Sequence, residues 1–174
     1  MSSLPLFGSV LRLLKPIIEQ FQTPRSDIRI ERHANDLGSI KNEDRIVVVN
    51  WDFTALNDGR RDGHLAKPVL QHAEFTTAGG RTETVNPSEI GSGNVRLEYR
   101  EKNENKVVAL SNDKIRIMHK LPASKGIHDY VTNYSAMTFQ YTVLVEDGST
   151  PYEVEAEATL DIDGVSIEAN HGQL

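Results

Sequence analysis

The apolar and polar positions of this chain alternate mostly with a period of two. From Tyr134 to Val145, Met137, Phe139, Tyr141, Val143 and Val145 share one parity, and Ala136, Thr138, Gln140 and Thr142 take the other. That is the pattern of a half-buried strand. After the turn residues Glu146 to Pro151, Tyr152, Val154, Ala156, Ala158, Leu160 and Ile162 alternate with Glu153, Glu155, Glu157, Thr159, Asp161 and Asp163. Asp163-Gly164 then reads as a two-residue hairpin turn, because both central positions of a type I′ turn need positive φ. Val165 and Ile167 continue the apolar parity beyond it.

The first half carries the same signal in shorter pieces. Ile28 and Ile30 alternate with Arg29 and Glu31, and residues 33–44 are polar and turn-rich. From Arg45 to Phe53 both parities are apolar at first, with Val47, Val49, Trp51 and Phe53 on one face and Ile46 and Val48 on the other. This predicts a central strand covered on both sides, with Trp51 in the core. Residues 57–64 form a loop by composition, Val69 to Thr77 a further strand, and Ala78-Gly79-Gly80 a turn. Asn86-Pro87-Ser88 opens a turn or a short helical segment, and residues 91–94 are a flexible connector. Residues 95–110 read as a hairpin with a polar tip at 101–106, and Lys114 to Lys120 as a strand with Ile115 and Ile117 inward. Leu121-Pro122 ends that strand, and residues 124–133 form a loop. About eight strands with frequent turns predict an all-β fold, an antiparallel β-sandwich of jelly-roll-like outline.

One segment breaks the alternation. At helical spacing, Leu4, Leu6, Phe7, Val10, Leu11, Leu13, Leu14, Ile17, Ile18 and Phe21 occupy one half of the wheel, with Arg12, Lys15, Glu19 and Gln20 opposite. Pro16 kinks this N-terminal amphipathic helix or begins a second one, and Thr23-Pro24 ends the pattern. The expected organisation is a helical arm over residues 1–22 and a sandwich domain over 23–174. The apolar face can cover the β-core in its own subunit, dock on a neighbouring copy, or lie on a membrane surface. Only Arg12 and Lys15 supply cationic charge for the last of these.

Composition sharpens the picture in three places. The 174 residues suit one domain with a core of its own. The chain has no cysteine, which removes disulfides, zinc–thiolate sites and thiol nucleophiles. The formal charge of −6 is uneven: residues 146–174 carry eight acids and no Lys or Arg, so the rest is slightly basic. That balance argues against general nucleic-acid binding. No run of about 18 apolar residues is present, and no secretory signal pattern opens the chain, so a cytoplasmic or particle-associated location is expected.

Candidate chemistry is sparse. Same-face neighbours on a strand lie roughly 6.5–7 Å apart, so Glu153, Glu155, Glu157 and Asp161 repel one another unless cations offset them. Lys114, Arg116 and Lys120 are the candidate cross-strand partners. The alternatives are a plain solvated face that guards a long strand from edge pairing and a docking surface for a basic partner. A catalytic carboxylate pair needs a cleft that drives the two pKa values apart. Asp161-x-Asp163-Gly164 resembles the start of a calcium loop but lacks the downstream Glu. His33, His64, His72, His119, His128 and His171 stand singly and show no metal-ligand spacing, and such scattered histidines are expected at the surface. Asn133-Tyr134-Ser135 is a formal glycosylation sequon. No nucleophile elbow or phosphate-binding loop occurs.

These observations imply no catalytic residue, metal or cofactor. They imply a non-enzymatic structural or assembly subunit, coat-like in outline, that self-associates or docks a protein partner. Its expected contact face is Leu6, Phe7, Val10, Leu11, Leu14, Ile17, Ile18 and Phe21. A lipid-binding protein that inserts the helix is the alternative, and a ligand carrier or enzyme with an inter-sheet cavity is the second.

Overall fold

The computed structural model describes residues 24–33, 38–43, 46–91, 94–101, 106–122, 127–162 and 166–169. The helical arm predicted over residues 1–22, with its whole apolar face, lies outside them. The described residues form β1 (Ile28–Arg32), β2 (Ser39–Glu43), β3 (Ile46–Asn57), β4 (Gly63–Leu65), β5 (Val69–Thr77), β6 (Thr82–Val85), β7 (Val95–Tyr99), β8 (Lys106–Val107), β9 (Ser111–Lys120), a short helix α1 (Ile127–Asn133), β10 (Tyr134–Glu146), β11 (Tyr152–Asp161) and β12 (Ser166–Ala169). One sheet runs β12-β2-β3-β9-β7 with β1 also on β3; the other runs β6-β5-β10-β4-β8 with β11 on β10. Every pairing is antiparallel except β12 with β2.

The two strongest alternations are the hearts of the two sheets. On β10, Met137, Phe139, Tyr141, Val143 and Val145 are all buried, as are Val47, Val49, Trp51, Phe53 and Ala55 on β3. These faces meet: the Trp51 and Phe139 rings are 5.0 Å apart, and Phe139 lies 5.7 Å from Phe75 of β5. Each fully buried large apolar side chain stabilises by about 1.5–3 kcal/mol relative to exposure. The second face of β3 is covered only at its start. Val48 and Asn50 are buried there, while Asp52, Thr54 and Leu56 are half-exposed.

Several expectations are corrected, and most of the misses concern which strand lies beside which. Twelve strands are described rather than about eight. The polar stretch before β3 contains β2, which has little apolar signal beyond Ile40 and forms because β3 offers it an edge. Residues 95–110 are not a hairpin: β7 pairs β9 in the first sheet and β8 pairs β4 in the second. The segment after Asp163-Gly164 does not fold back on β11, since β12 pairs β2 in parallel in the opposite sheet. Part of the predicted 124–133 loop is α1, whose buried Tyr130 meets Phe75 edge-on at 6.4 Å.

β4 and β5 act as one interrupted strand along β10. Leu65 opposes Val145 and Val69 opposes Thr142; Ala66 N–H still bonds Leu144 O at 2.9 Å, and Lys67 and Pro68 step out between them. Pro68, which has no N–H to donate, sits in that break.

One end of the sandwich is closed by buried polar groups. Asn57 Oδ1 accepts from the Asp27 and Gly59 N–H groups, and its Nδ2 donates to the Arg61 and Val107 carbonyls. Asp147 accepts from Ser26 N–H at 2.8 Å and Ser26 Oγ at 3.0 Å, and also from the Ser149 backbone and hydroxyl. These bonds, the Ser149 hydroxyl foremost, hold its pKa well below the usual 3.8.

Two predictions follow from these contacts. Gly38 has φ +75°, and a Cβ there would lie 2.8 Å from Leu160 Cδ1 and 2.9 Å from the Trp51 ring. Gly38→Ala is expected to cost about 1–3 kcal/mol, read by urea unfolding followed through Trp51 fluorescence. Asp147→Ala is expected to cost about 2 kcal/mol at neutral pH. Because the folded carboxyl is the stronger acid, its stabilisation is present above 3.8 and fades as the pH falls below it. The gap between wild type and variant should therefore narrow in acid; a constant gap would contradict the account.

Candidate functional site

The site that stands out is a cleft of about 600 Å³ between the sheets, lined by Leu65, Ala66 and Lys67 on one side and by residues 94–99 with Lys120 on the other. Both parities of β7 line it, as happens when a groove runs along a strand's edge rather than across its face. β7 is the last strand of its sheet among the described residues. Lys120 N–H bonds Asn94 O and Arg100 N–H bonds Lys114 O, and the register pairs Arg96 with Met118 and Glu98 with Arg116. In an antiparallel ladder the bonded pairs alternate, so the even positions of β7 face β9. The N–H and C=O groups of Leu97 and Tyr99 therefore point towards the open side, while Val95 is wholly covered.

The opposite wall has a matching gap. Along the interrupted β4–β5 strand, β8 pairs only Gly63 and His64, and β6 pairs only residues 73–76. Among the described residues neither reaches Leu65 to His72. The cleft thus lies between two stretches of strand edge.

Its chemistry is apolar below and cationic around the rim. Val95 is fully buried, and Leu97 and Tyr99 are half-buried against the core. Among the described lining residues Lys67, Arg96 and Lys120 outnumber the carboxylates, represented by Glu98, which stands opposite Arg116. Burial raises the Tyr99 hydroxyl to about 12, so it stays protonated. The nearby Leu65 backbone eases that shift slightly, yet no hydrogen bond closes on Tyr99 Oη among the described residues.

The acidic row is where its alternation puts it. Glu153, Glu155, Glu157 and Asp161 are exposed on β11. Their expected cationic partners are elsewhere, because β9 belongs to the other sheet. Arg116 binds Asp52 of β3 in a bidentate pair at 2.7 and 2.8 Å, and that bond lowers the Asp52 pKa. Lys114 reaches Glu101 at 2.9 Å, and Lys120 borders the cleft. Across from the acids stand Leu144, Thr142, Gln140 and Ala136 of β10, and Gln140 donates to Glu157 at 2.8 Å. The contact face expected from Leu6 to Phe21 lies outside the described residues.

His119 corrects the expectation that the histidines are surface groups. It is fully buried, and its parity with Ile115 and Ile117 marked it for the core. Nε2–H donates to Ile90 O at 2.8 Å, and Nδ1 lies 3.2 Å from the Tyr141 hydroxyl, which donates to the neutral ring. Burial lowers its pKa below 6.5. Among the described residues no group of three or more His, Asp or Glu side chains is placed to hold a metal ion. No helix among them is long and apolar enough to cross a membrane.

The buried neutral His119 has a measurable consequence. The unfolded chain takes up a proton at about 6.5 that the folded ring resists, so stability should fall as the pH drops below that value. His119→Gln, which keeps one donor and one acceptor, should flatten this slope in denaturant titrations; an unchanged slope would show that His119 is not its source.

No protein-family model matches the sequence, and no curated protein matches it significantly. Among solved structures, a Bordetella pertussis protein assigned as ApaA is 14% identical; the match covers 80% of this chain and 97% of that one, with a TM-score of 0.40. The seventh PapD-like domain of human CEP192 is 12% identical, covering 88% and 92%, with a TM-score of 0.39. The GAE domain of GGA2p from Saccharomyces cerevisiae is 14% identical, covering 79% and 97%, with a TM-score of 0.33. At such values these likenesses assign neither family nor activity, and the all-β sandwich rests on the strand pairings themselves.

Proposed function

We propose that this chain is a non-enzymatic protein-interaction subunit that joins other chains by strand pairing along β7. The observation that carries this reading is the edge of β7, unpaired among the described residues, where the Leu97 and Tyr99 backbone groups border a cleft. An extended segment laid there gains ladder hydrogen bonds from its backbone and places alternate side chains in the cleft. Long exposed edges are hazardous and are commonly shielded, so a short edge beside a groove suits regulated pairing. The apolar face of Leu6, Phe7, Val10, Leu11, Leu14, Ile17, Ile18 and Phe21 is proposed as a second contact, made with another copy or a protein partner.

The test is self-association of the full chain, read by light scattering and by amide hydrogen exchange from dilute to concentrated solution. The mass is expected to rise with concentration while the Leu97 and Tyr99 amides become protected, a weak pairing that a better-matched extended segment displaces. Leu97→Pro should oppose both changes, since the lost N–H is one that β9 does not use. A monomer at every concentration, with unaltered exchange on β7, would remove self-association from the reading.

A further inference from the structure

We infer that the segment received by the β7 cleft is an acidic strand on a partner protein, with apolar residues alternating with Glu or Asp. This rests on the strand-pairing reading above and adds the chemistry of the occupant. Three observations define it. The edge left unpaired among the described residues is short, since β7 spans only Val95 to Tyr99 and Val95 is covered, so a few extended residues fill it. The floor offered to inward side chains is apolar, made by Leu65, Leu97 and the ring of Tyr99. The rim met by outward side chains is basic, with Arg96 and Lys120, and Lys67 beside them, against Glu98 among the described lining residues.

Period two makes these demands compatible within one peptide. Successive side chains of an added strand point to opposite faces, so apolar residues at alternate positions enter the cleft and the intervening acids meet the rim. A basic segment would meet like charge at the same positions. The chain's own strand of this composition, β11, is held along β10 by one edge, so the test must separate a partner strand from the β11 of a second copy.

The test uses the full chain with two synthetic octapeptides, one alternating valine with glutamate and one alternating valine with lysine. Binding is followed by calorimetry and by amide exchange. The glutamate peptide is expected to bind about tenfold more tightly at low salt, since a few exposed pairs change from attraction to repulsion. Added salt should narrow the difference. Its binding should protect the Leu97 and Tyr99 amides. The double variant Arg96→Glu, Lys120→Glu, both at exposed or half-exposed positions, should reverse the preference, and Leu97→Pro should weaken both peptides.

Equal binding of the two peptides with protection on β7 would overturn the acidic assignment and leave the strand-pairing reading standing. Binding of neither peptide, or binding with no change on β7, would overturn both. Self-association that protects β7 and persists in excess glutamate peptide would give the cleft to a second copy and overturn the separate acidic partner.

Discussion

The packing of Trp51 on Phe139 is the contact on which the architecture turns. Each residue sits mid-strand in its own sheet, each is fully buried, and their rings meet at 5.0 Å. Neither sheet could stand alone in water, because one face of each is a continuous apolar surface. Around the pair gather Phe75, Tyr141 and His119, with His119 lying 5.4 Å from Phe139. The neutral imidazole is tolerated at this depth because Ile90 O and Tyr141 Oη satisfy both of its nitrogens. An unsatisfied polar group there would cost about 1–3 kcal/mol.

With the layers set, the margins differ in how they are finished. At one end Asn57 and Asp147 tie residues 25–27 to the β10–β11 turn and the loop after β3, so the backbone there is bonded. On that side β11 lies close to β1, and the Tyr152 hydroxyl accepts from the Ile28 N–H. The row of glutamates on β11 adds a charged guard. The opposite margin is finished differently: β7 ends its sheet among the described residues beside a cleft, and the long strand across from it is interrupted at residues 66–68. β11 is also an edge strand, paired only with β10 among the described residues, so the cleft beside β7 is the physical basis for proposing interaction there rather than at the more conspicuous acidic row.

The acidic row also shows how a charge pattern can mislead when its neighbours are unknown. Glu153, Glu155 and Glu157 invited cationic partners on an adjacent strand, and β9 had the right outward residues. The fold placed β9 in the other layer, where Asp52 claims Arg116. Neutral residues of β10 flank the glutamates instead, and solvent screening does the remainder.

What the sequence by itself determined is which side of each strand is wet. The buried parities of β3, β9, β10 and β11, the turn at Gly79-Gly80 and the core position of Trp51 were all legible from period two and turn chemistry. His119 was equally legible, had its parity with Ile117 been weighed above its residue type. Adjacency was decided only by the tertiary structure: β7 with β9, β8 with β4, and β12 with β2 across the layers. The cleft depends on that adjacency, because Lys67, Arg96 and Lys120 share nothing in the chain but their final place. The reason is physical. Burial is read from side chains, which the sequence spells out, whereas strand partners are chosen through backbone hydrogen bonds that every residue except proline can make alike.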